Sequence, residues 1–280
     1  MRNSARAHSS GLALRLGKAG LAVNALGIFA FLYVPILILI IFSFNDTRTV
    51  ARMTGLSLQW YAKLFVNREL LAAARNSLII ALTSTLVATV IGTLTALGMD
   101  RFRFRLRKTF DTVLYLPIVI PEIVMGISLL LFFNLAFFPV IQLISGASLS
   151  LGLWTILIGH IAFNIPFVYV IVRARLVGFD RTLEEAARDL GADEWRTFWR
   201  VTFPLLLPGI LGGALMAFTL SLDDFLVTVF TAGTASPTMP LYIYSLVRRG
   251  VTPEINALST VLLLASMGLI VLSLAAQRRE

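Results

Sequence analysis

Long stretches without a single charged residue recur along this chain, and they constrain its fold more than any other feature. The first, Leu21–Phe44, holds 24 residues, and as a helix at 1.5 Å per residue it reaches about 36 Å, enough to cross a bilayer with some tilt. Further uncharged runs occupy Ser77–Met99, Thr112–Phe138 (interrupted by Glu122), Gly152–Val172, Phe203–Leu222 and Asn256–Gln277. The composition agrees: 58 % of residues are apolar, 14 % are charged, and mean hydropathy is +0.85. A water-soluble fold of 280 residues could not bury that much apolar surface, so the chain is read as an all-α, polytopic membrane bundle of six transmembrane helices. Arg2, Arg6, Arg15 and Lys18 precede the first run as they would in a secretory signal. The run exceeds the ~7–15 apolar residues of such a signal, so it is read as an uncleaved span.

Lys and Arg set the expected orientation. The N-terminal segment, the 100–111 loop, the 173–202 loop and the C-terminus carry 17 of the 24 basic residues, and the segments between them carry 7. Both termini are therefore expected in the cytoplasm. The expected organisation is a cytoplasmic tail at 1–20, a six-span domain at 21–277 with a cytoplasmic loop at 173–202, and a cytoplasmic end at 278–280. The net charge of +9 is read as positive-inside loops and not as a nucleic-acid surface. Two stripes of small residues, Ser84-Ala88-Gly92-Ala96 and Gly209-Gly213-Ala217-Ser221, place the second and fifth spans in the inner bundle.

The 173–202 loop carries six Arg and six acids. Thr182 followed by Glu185 matches a capping box, Leu183, Ala186, Ala187 and Leu190 supply an apolar stripe, and Gly191 is placed to end the helix. Asp193 is placed to cap a second short helix bearing Trp195, Phe198 and Trp199, and Pro204 with Pro208 marks entry to the fifth span. By pattern alone two readings stand. The element docks a partner, or Glu185 caps its own helix while the aromatics sit in the lipid interface.

Glu185-Ala186-Ala187, three residues, Gly191, nine residues, Val201, one residue and Phe203-Pro204 resemble the EAA signature of ABC importer permeases, with Val201 and Phe203 standing for Ile and Leu. The resemblance implies a type I importer permease fold and an ATPase-docking surface formed by Glu185, Ala186, Ala187 and Gly191, with Pro204 closing the signature. ATP and Mg²⁺ then belong to a partner ATPase subunit, and this chain holds no cofactor, metal or catalytic residue. The residues concur. There is no Walker A loop, since Gly11 to Gly17-Lys18-Ala19 is misspaced and lacks Ser/Thr, and no HExxH or GxSxG motif. The chain has no cysteine. His160, alone in the fourth span, is expected to bond to a neighbouring helix.

Acids at membrane depth point to the cargo. A carboxylate at mid-bilayer costs about 3 kcal/mol, so it normally faces a pathway or a partner. Glu122 follows Pro121, 11 residues beyond Asp111, so a helix places it about 16 Å in, and Pro117 and Pro121 are expected to kink that helix and free carbonyls to face a cavity. Asp223 and Asp224 stand together near the end of the fifth span. No Lys or Arg lies between Thr112 and Val172, and uncompensated carboxylates suit a cation, above all a polycation. The apolar run continuing through Phe225–Phe230 is read as a short re-entrant element, with a plain interfacial loop as the alternative.

Ser221-Leu222-Asp223-Asp224-Phe225, Tyr242–Ser245, Arg249–Ala257, Ser43–Asn45, Trp60-Tyr61 and Pro121–Ser128 together resemble the second permease subunit of spermidine/putrescine importers. The resemblance implies a polyamine pathway lined by Glu122, Asp223 and Asp224, with Ser221 beside them and Trp60 near the outer entrance. It also implies a homologous second permease, two ATP-binding subunits and an extracytoplasmic polyamine-binding protein as partners, in a lipid membrane and with no nucleic acid. In that family the third-span acid is often Asp, so Glu122 is one methylene longer. A related importer for ferric iron, a phosphonate or an opine-type solute is the alternative, although an anionic cargo would want cations at membrane depth. An ion-driven secondary transporter is a third reading, weakened by the lack of paired half-chain repeats.

Overall fold

A computed structural model describes the backbone of residues 2–48, 52–233 and 236–277, with side chains from residue 17 to 268 within those ranges. The regular structure among the described residues is helical, apart from one isolated antiparallel bridge between Asn45 and Leu56. Five helical stretches among the described residues are long and apolar enough to cross a membrane: Gly17–Phe42, Arg68–Arg101, Glu122–Ser145, Leu153–Val177 and Glu194–Asp223. The sixth expected crossing falls on a helix at Pro253–Gln277, whose last side chains lie outside the described residues, as does the end at 278–280. The chain divides into two compact units, residues 1–67 with 246–280, and residues 68–245.

In the first unit, α1 runs Arg2–Phe42. The expected tail at 1–20 is therefore helical from residue 2 and continuous with the first span. A polar turn then leads to α2 (Gln59–Val66), where Ser43 Oγ meets Tyr61 Oη at 2.6 Å and Asn45 accepts from the Thr54 amide at 3.1 Å.

The second unit is built on α3 (Arg68–Arg101), α7 (Leu153–Val177) and α10 (Phe203–Asp223), which pack on one another. The small-residue stripes make this contact, as anticipated. Ala88, Ala96 and Ala217 are fully buried. A methyl group added at Gly92 would stand 2.8 Å from Val168 Cβ and 3.0 Å from the Ile165 carbonyl oxygen, so the close approach of α3 to α7 requires glycine there.

The expected third span, 112–138, is not one helix. α4 (Arg107–Val119) stops at Ile120, whose backbone is extended, and α5 (Glu122–Leu131) begins after Pro121. Proline lacks an N–H and drives the residue before it out of the helical region, which accounts for the break. The rise of 16 Å from Asp111 to Glu122 therefore does not hold. The apolar crossing instead starts at Glu122 and continues through a π-helical turn, Phe132–Phe137, into α6 (Phe138–Ser145). α4 is clipped to α7 by Asp111, which accepts from Tyr169 Oη at 2.6 Å and from Arg173.

Between α7 and α10 lie α8 (Thr182–Asp189) and α9 (Glu194–Thr197), followed by a π-helical turn at Phe198–Thr202. After α10 the chain bends at Asp224 and forms α11 (Leu226–Thr231), which packs against α5 and α7. The segment expected to be re-entrant is thus a short helix with Val227, Thr228 and Thr231 buried. α12 (Met239–Arg248) and α13 (Pro253–Gln277) complete the chain.

Candidate functional site

Where α5, α7, α10 and α11 meet, the second unit forms a half-open cavity of about 220 Å³ lined by Glu122, Asp223, Asp224, Phe163, Phe225 and Leu226, among others. Each acid arrives for a local reason. Pro121 starts α5 abruptly, leaving Glu122 in the first turn, where the free amides of a helix N-terminus favour an anion. Asp223 closes α10, and Asp224 sits in the extended bend that follows. The three acids that sequence reasoning singled out are therefore neighbours around one hollow. Glu122 and Asp223 are exposed, whereas Asp224 is buried.

Asp224 is not the uncompensated carboxylate expected. It accepts from the amides of Val227 at 3.1 Å and Thr228 at 2.8 Å, and from the Thr228 hydroxyl at 2.8 Å, which fixes the start of α11. Its Oδ2 also lies 3.1 Å from His160 Nε2. His160, 1 % exposed, places Nδ1 at 2.7 Å from Ser221 Oγ and Nε2 at 3.0 Å from Thr228 Oγ1. Ser221 in turn meets Ser84 Oγ at 3.0 Å. Ser221 is thus buried in a polar chain joining α3, α7, α10 and α11, and it is not among the residues that line the cavity.

Trp60 departs from its expected role. It belongs to the first unit, is 3 % exposed, donates its indole N–H to the Asn45 carbonyl at 2.7 Å, and carries the Lys63 ammonium 4.3 Å from its ring centre. The ring is consumed in holding the turn before α2 and offers no open face to a cationic solute.

The 173–202 loop forms the expected helix–glycine–helix, with one difference at its start. Thr182 does not cap α8; Asp180 does so, accepting from the Thr182 amide at 3.0 Å and its hydroxyl at 2.8 Å. Those two bonds hold the Asp180 carboxyl below its usual range. Gly191 ends α8 at φ +83°, and Ala192 N–H donates to the Ala187 carbonyl at 3.0 Å while Gly191 N–H donates to that of Arg188 at 2.8 Å, closing a Schellman turn. Asp193 caps α9 through the Arg196 amide at 2.7 Å. Glu185, Ala186, Pro204 and Leu183 are exposed; Leu190 is 90 % and Trp195 70 % exposed. The apolar stripe of α8 therefore faces outward, and none of the described residues covers it.

Sequence reasoning passed over Glu184. Its carboxylate is buried, accepts from Arg101 Nη2 at 2.6 Å and from the Thr202 hydroxyl, and lies 3.8 Å from Arg188 Nη2. It ties α8 to the end of α3 and to the turn entering α10. No pattern within α8 marked it, because the partners that bury it, Arg101 and Thr202, belong to other segments of the chain.

Residues 88–279 match the family described as the binding-protein-dependent transport system inner membrane component. The chain is 41 % identical over 253 residues to the spermidine/putrescine transport system permease protein PotC of Haemophilus influenzae, covering 90 % of this chain and 94 % of that one. It is 40 % identical over 243 residues to the putrescine transport system permease protein PotI of Escherichia coli K12, covering 86 % and 84 %. Its fold matches, at a TM-score of 0.73 and 19 % identity, that of a bacterial ABC transporter involved in the import of the acidic polysaccharide alginate, over 94 % of this chain and 95 % of that one. The chain belongs to the inner-membrane permease family of binding-protein-dependent ABC importers. Both relatives named above are permeases of polyamine transport systems.

Proposed function

We propose that this permease conducts polyamines of the spermidine/putrescine type into the cytoplasm. The observation that carries this reading is the cavity: Glu122, Asp223 and Asp224 converge on one hollow, and residues 112–172 and 201–247 contain no Lys or Arg. An acid-lined hollow without fixed cations attracts a polycation, with each ammonium adding to the attraction. Phe163 and Phe225 add aromatic side chains to its lining. The likeness to PotC and PotI over most of the chain supports the same cargo class.

The chain works beside a homologous second permease, two ATP-binding subunits and an extracytoplasmic binding protein. Both termini and the 173–202 loop face the cytoplasm, in keeping with the distribution of Lys and Arg. The exposed stripe of α8, with Glu185, Ala186, Ala187 and Gly191, seats on the ATPase. ATP binding draws the ATPases together and moves α8; the core helices follow and open the cavity outward to receive cargo from the binding protein. Glu122 and Asp223 hold that cargo weakly and in turn, which permits release. Six spans and a 1–20 tail remain part of this reading.

Uptake of labelled spermidine by cells carrying Glu122→Gln or Asp223→Asn, at matched expression, tests the pathway. The half-saturating concentration is expected to rise about three- to tenfold, the worth of one screened charge at short range; unchanged uptake in both variants removes the acids from the route.

A further inference from the structure

We infer that His160 is a specificity-determining residue, setting how much negative charge the cavity presents and hence how strongly a trication is favoured over a dication. The inference rests on the polyamine reading above and adds a role for a residue outside the cavity lining. Throughout residues 112–172 and 201–247, which include α5, α7 as far as Val172, α10 and α11, His160 is the one side chain able to take a positive charge. It stands 3.1 Å from the carboxylate of a cavity acid.

The groups facing His160 from each packed element are few. α3 brings Ser84 through Ser221, α10 brings Ser221, and α11 brings Thr228 with Asp224 at its start. α5 brings Leu129 against the neighbouring Gly159, and its acid, Glu122, opens onto the cavity, as Asp223 does. Among the described residues Asp224 is thus the charged group in direct contact with the imidazole.

The hydrogen-bond chain is complete in either protonation state. With a neutral ring, the Ser221 hydroxyl donates to Nδ1, Nε2–H donates toward Asp224 and Thr228, and Ser84 donates to Ser221. With a protonated ring, Nδ1–H donates to Ser221, Ser221 donates to Ser84, and Ser84 donates to the Ala81 carbonyl at 3.3 Å. Three hydroxyl and imidazole groups reverse together, and no buried donor loses its acceptor. The geometry therefore accommodates a proton on the ring without orphaning a neighbour. The proton it takes up cancels Asp224 as seen from the hollow, leaving Glu122 and Asp223 as the field. A trication loses more attraction by that change than a dication, because the interaction scales with cargo charge.

The test uses the complete importer in proteoliposomes, with its binding protein, under ATP, and measures spermidine and putrescine uptake from about pH 7.5 down to about pH 5.5. In the unaltered importer the spermidine-to-putrescine ratio is expected to fall about three- to tenfold on acidification. In His160→Gln, which keeps a nitrogen donor toward Asp224 and cannot titrate, the ratio should be flat. The same binding protein serves both, so its own pH response cancels in the comparison. A His160→Gln importer that retains the acid-side fall overturns the inference. If that variant does not assemble, Ser221→Ala decides the matter: it breaks the relay from the imidazole to Ser84 and should change the acid-side fall, and an unchanged profile overturns the proposal. Failure of the unaltered importer to take up either amine at any pH refutes the polyamine reading itself, a separate result.

Discussion

Glu184 and Asp224 are both buried carboxylates at places where separate helices meet, yet they are held in opposite ways. Glu184, on α8, is gripped by the guanidinium of Arg101, with Arg188 at longer range and the Thr202 hydroxyl completing the set. Asp224, at the bend into α11, has two backbone amides, one hydroxyl and an imidazole, with no Lys or Arg. An acid neutralised by fixed cations projects little field and serves as a fastener. An acid satisfied by dipoles keeps its charge and continues to act on whatever enters the cavity beside it. The fastener lies in the loop expected to take up motion from an ATPase, and the field source lines the hollow expected to take cargo.

The largest effect is expected at the field source. Asp224→Ala leaves the Val227 and Thr228 amides, the Thr228 hydroxyl and His160 without their shared acceptor, and should destabilise the protein by about 3 kcal/mol, read from thermal unfolding of the purified importer. Asp224→Asn keeps an acceptor oxygen and should recover most of that loss while still weakening cargo binding. If alanine and asparagine proved equally damaging, or equally harmless, Asp224 would not combine a structural knot with a source of charge.

A smaller effect is expected at the fastener. Arg101 is partly exposed, so solvent screens the pair, and Glu184→Gln should cost about 1 kcal/mol. Its clearer signature is functional: ATPase co-purification persists, because the outward stripe of α8 is untouched, while more ATP is hydrolysed per solute moved. Arg101→Met should do the same, and the double variant should be no worse than either alone. Effects that multiply in the double variant would show that the two residues act separately.

How far this comparison was legible in the sequence differs between the two ends. The helical bundle, the inner position of the second and fifth spans, and the end of α8 at Gly191 follow from periodicity, small-residue spacing and glycine's access to positive φ. The convergence of Glu122 with Asp223 and Asp224 was anticipated only as three acids along one route. What escaped was pairing across distant segments. Asp224 with His160 and Glu184 with Arg101 are separated by 64 and 83 residues (224 − 160 and 184 − 101), and no local pattern encodes such a contact. The break at Pro121 was foreseen as a kink. It became a full interruption because Ile120 left the helical region as well. Trp60 was assigned to cargo by resemblance, whereas its own turn claims both the indole N–H and the ring face.

The smallest expected effect concerns the start of α8. Asp180 caps that helix from outside it, through the amide and hydroxyl of Thr182, and its carboxyl is held below the ordinary 3.8 chiefly by the Thr182 hydroxyl, with the amide next. A depressed carboxyl contributes its stabilisation fully above the unfolded value and loses it as pH falls through the folded value. At neutral pH the cap is therefore complete, and Asp180→Ala should weaken retention of the ATPase slightly by fraying the first turn of α8. Asp180→Asn retains the acceptor oxygen and should bind the ATPase as the unaltered chain does. Thr182→Ala separates the cap from the capping box: if Thr182 were the cap, its removal would be the more damaging change, whereas the geometry at Asp180 predicts that losing the carboxylate hurts more, since the Thr182 amide still has its acceptor when the hydroxyl is gone.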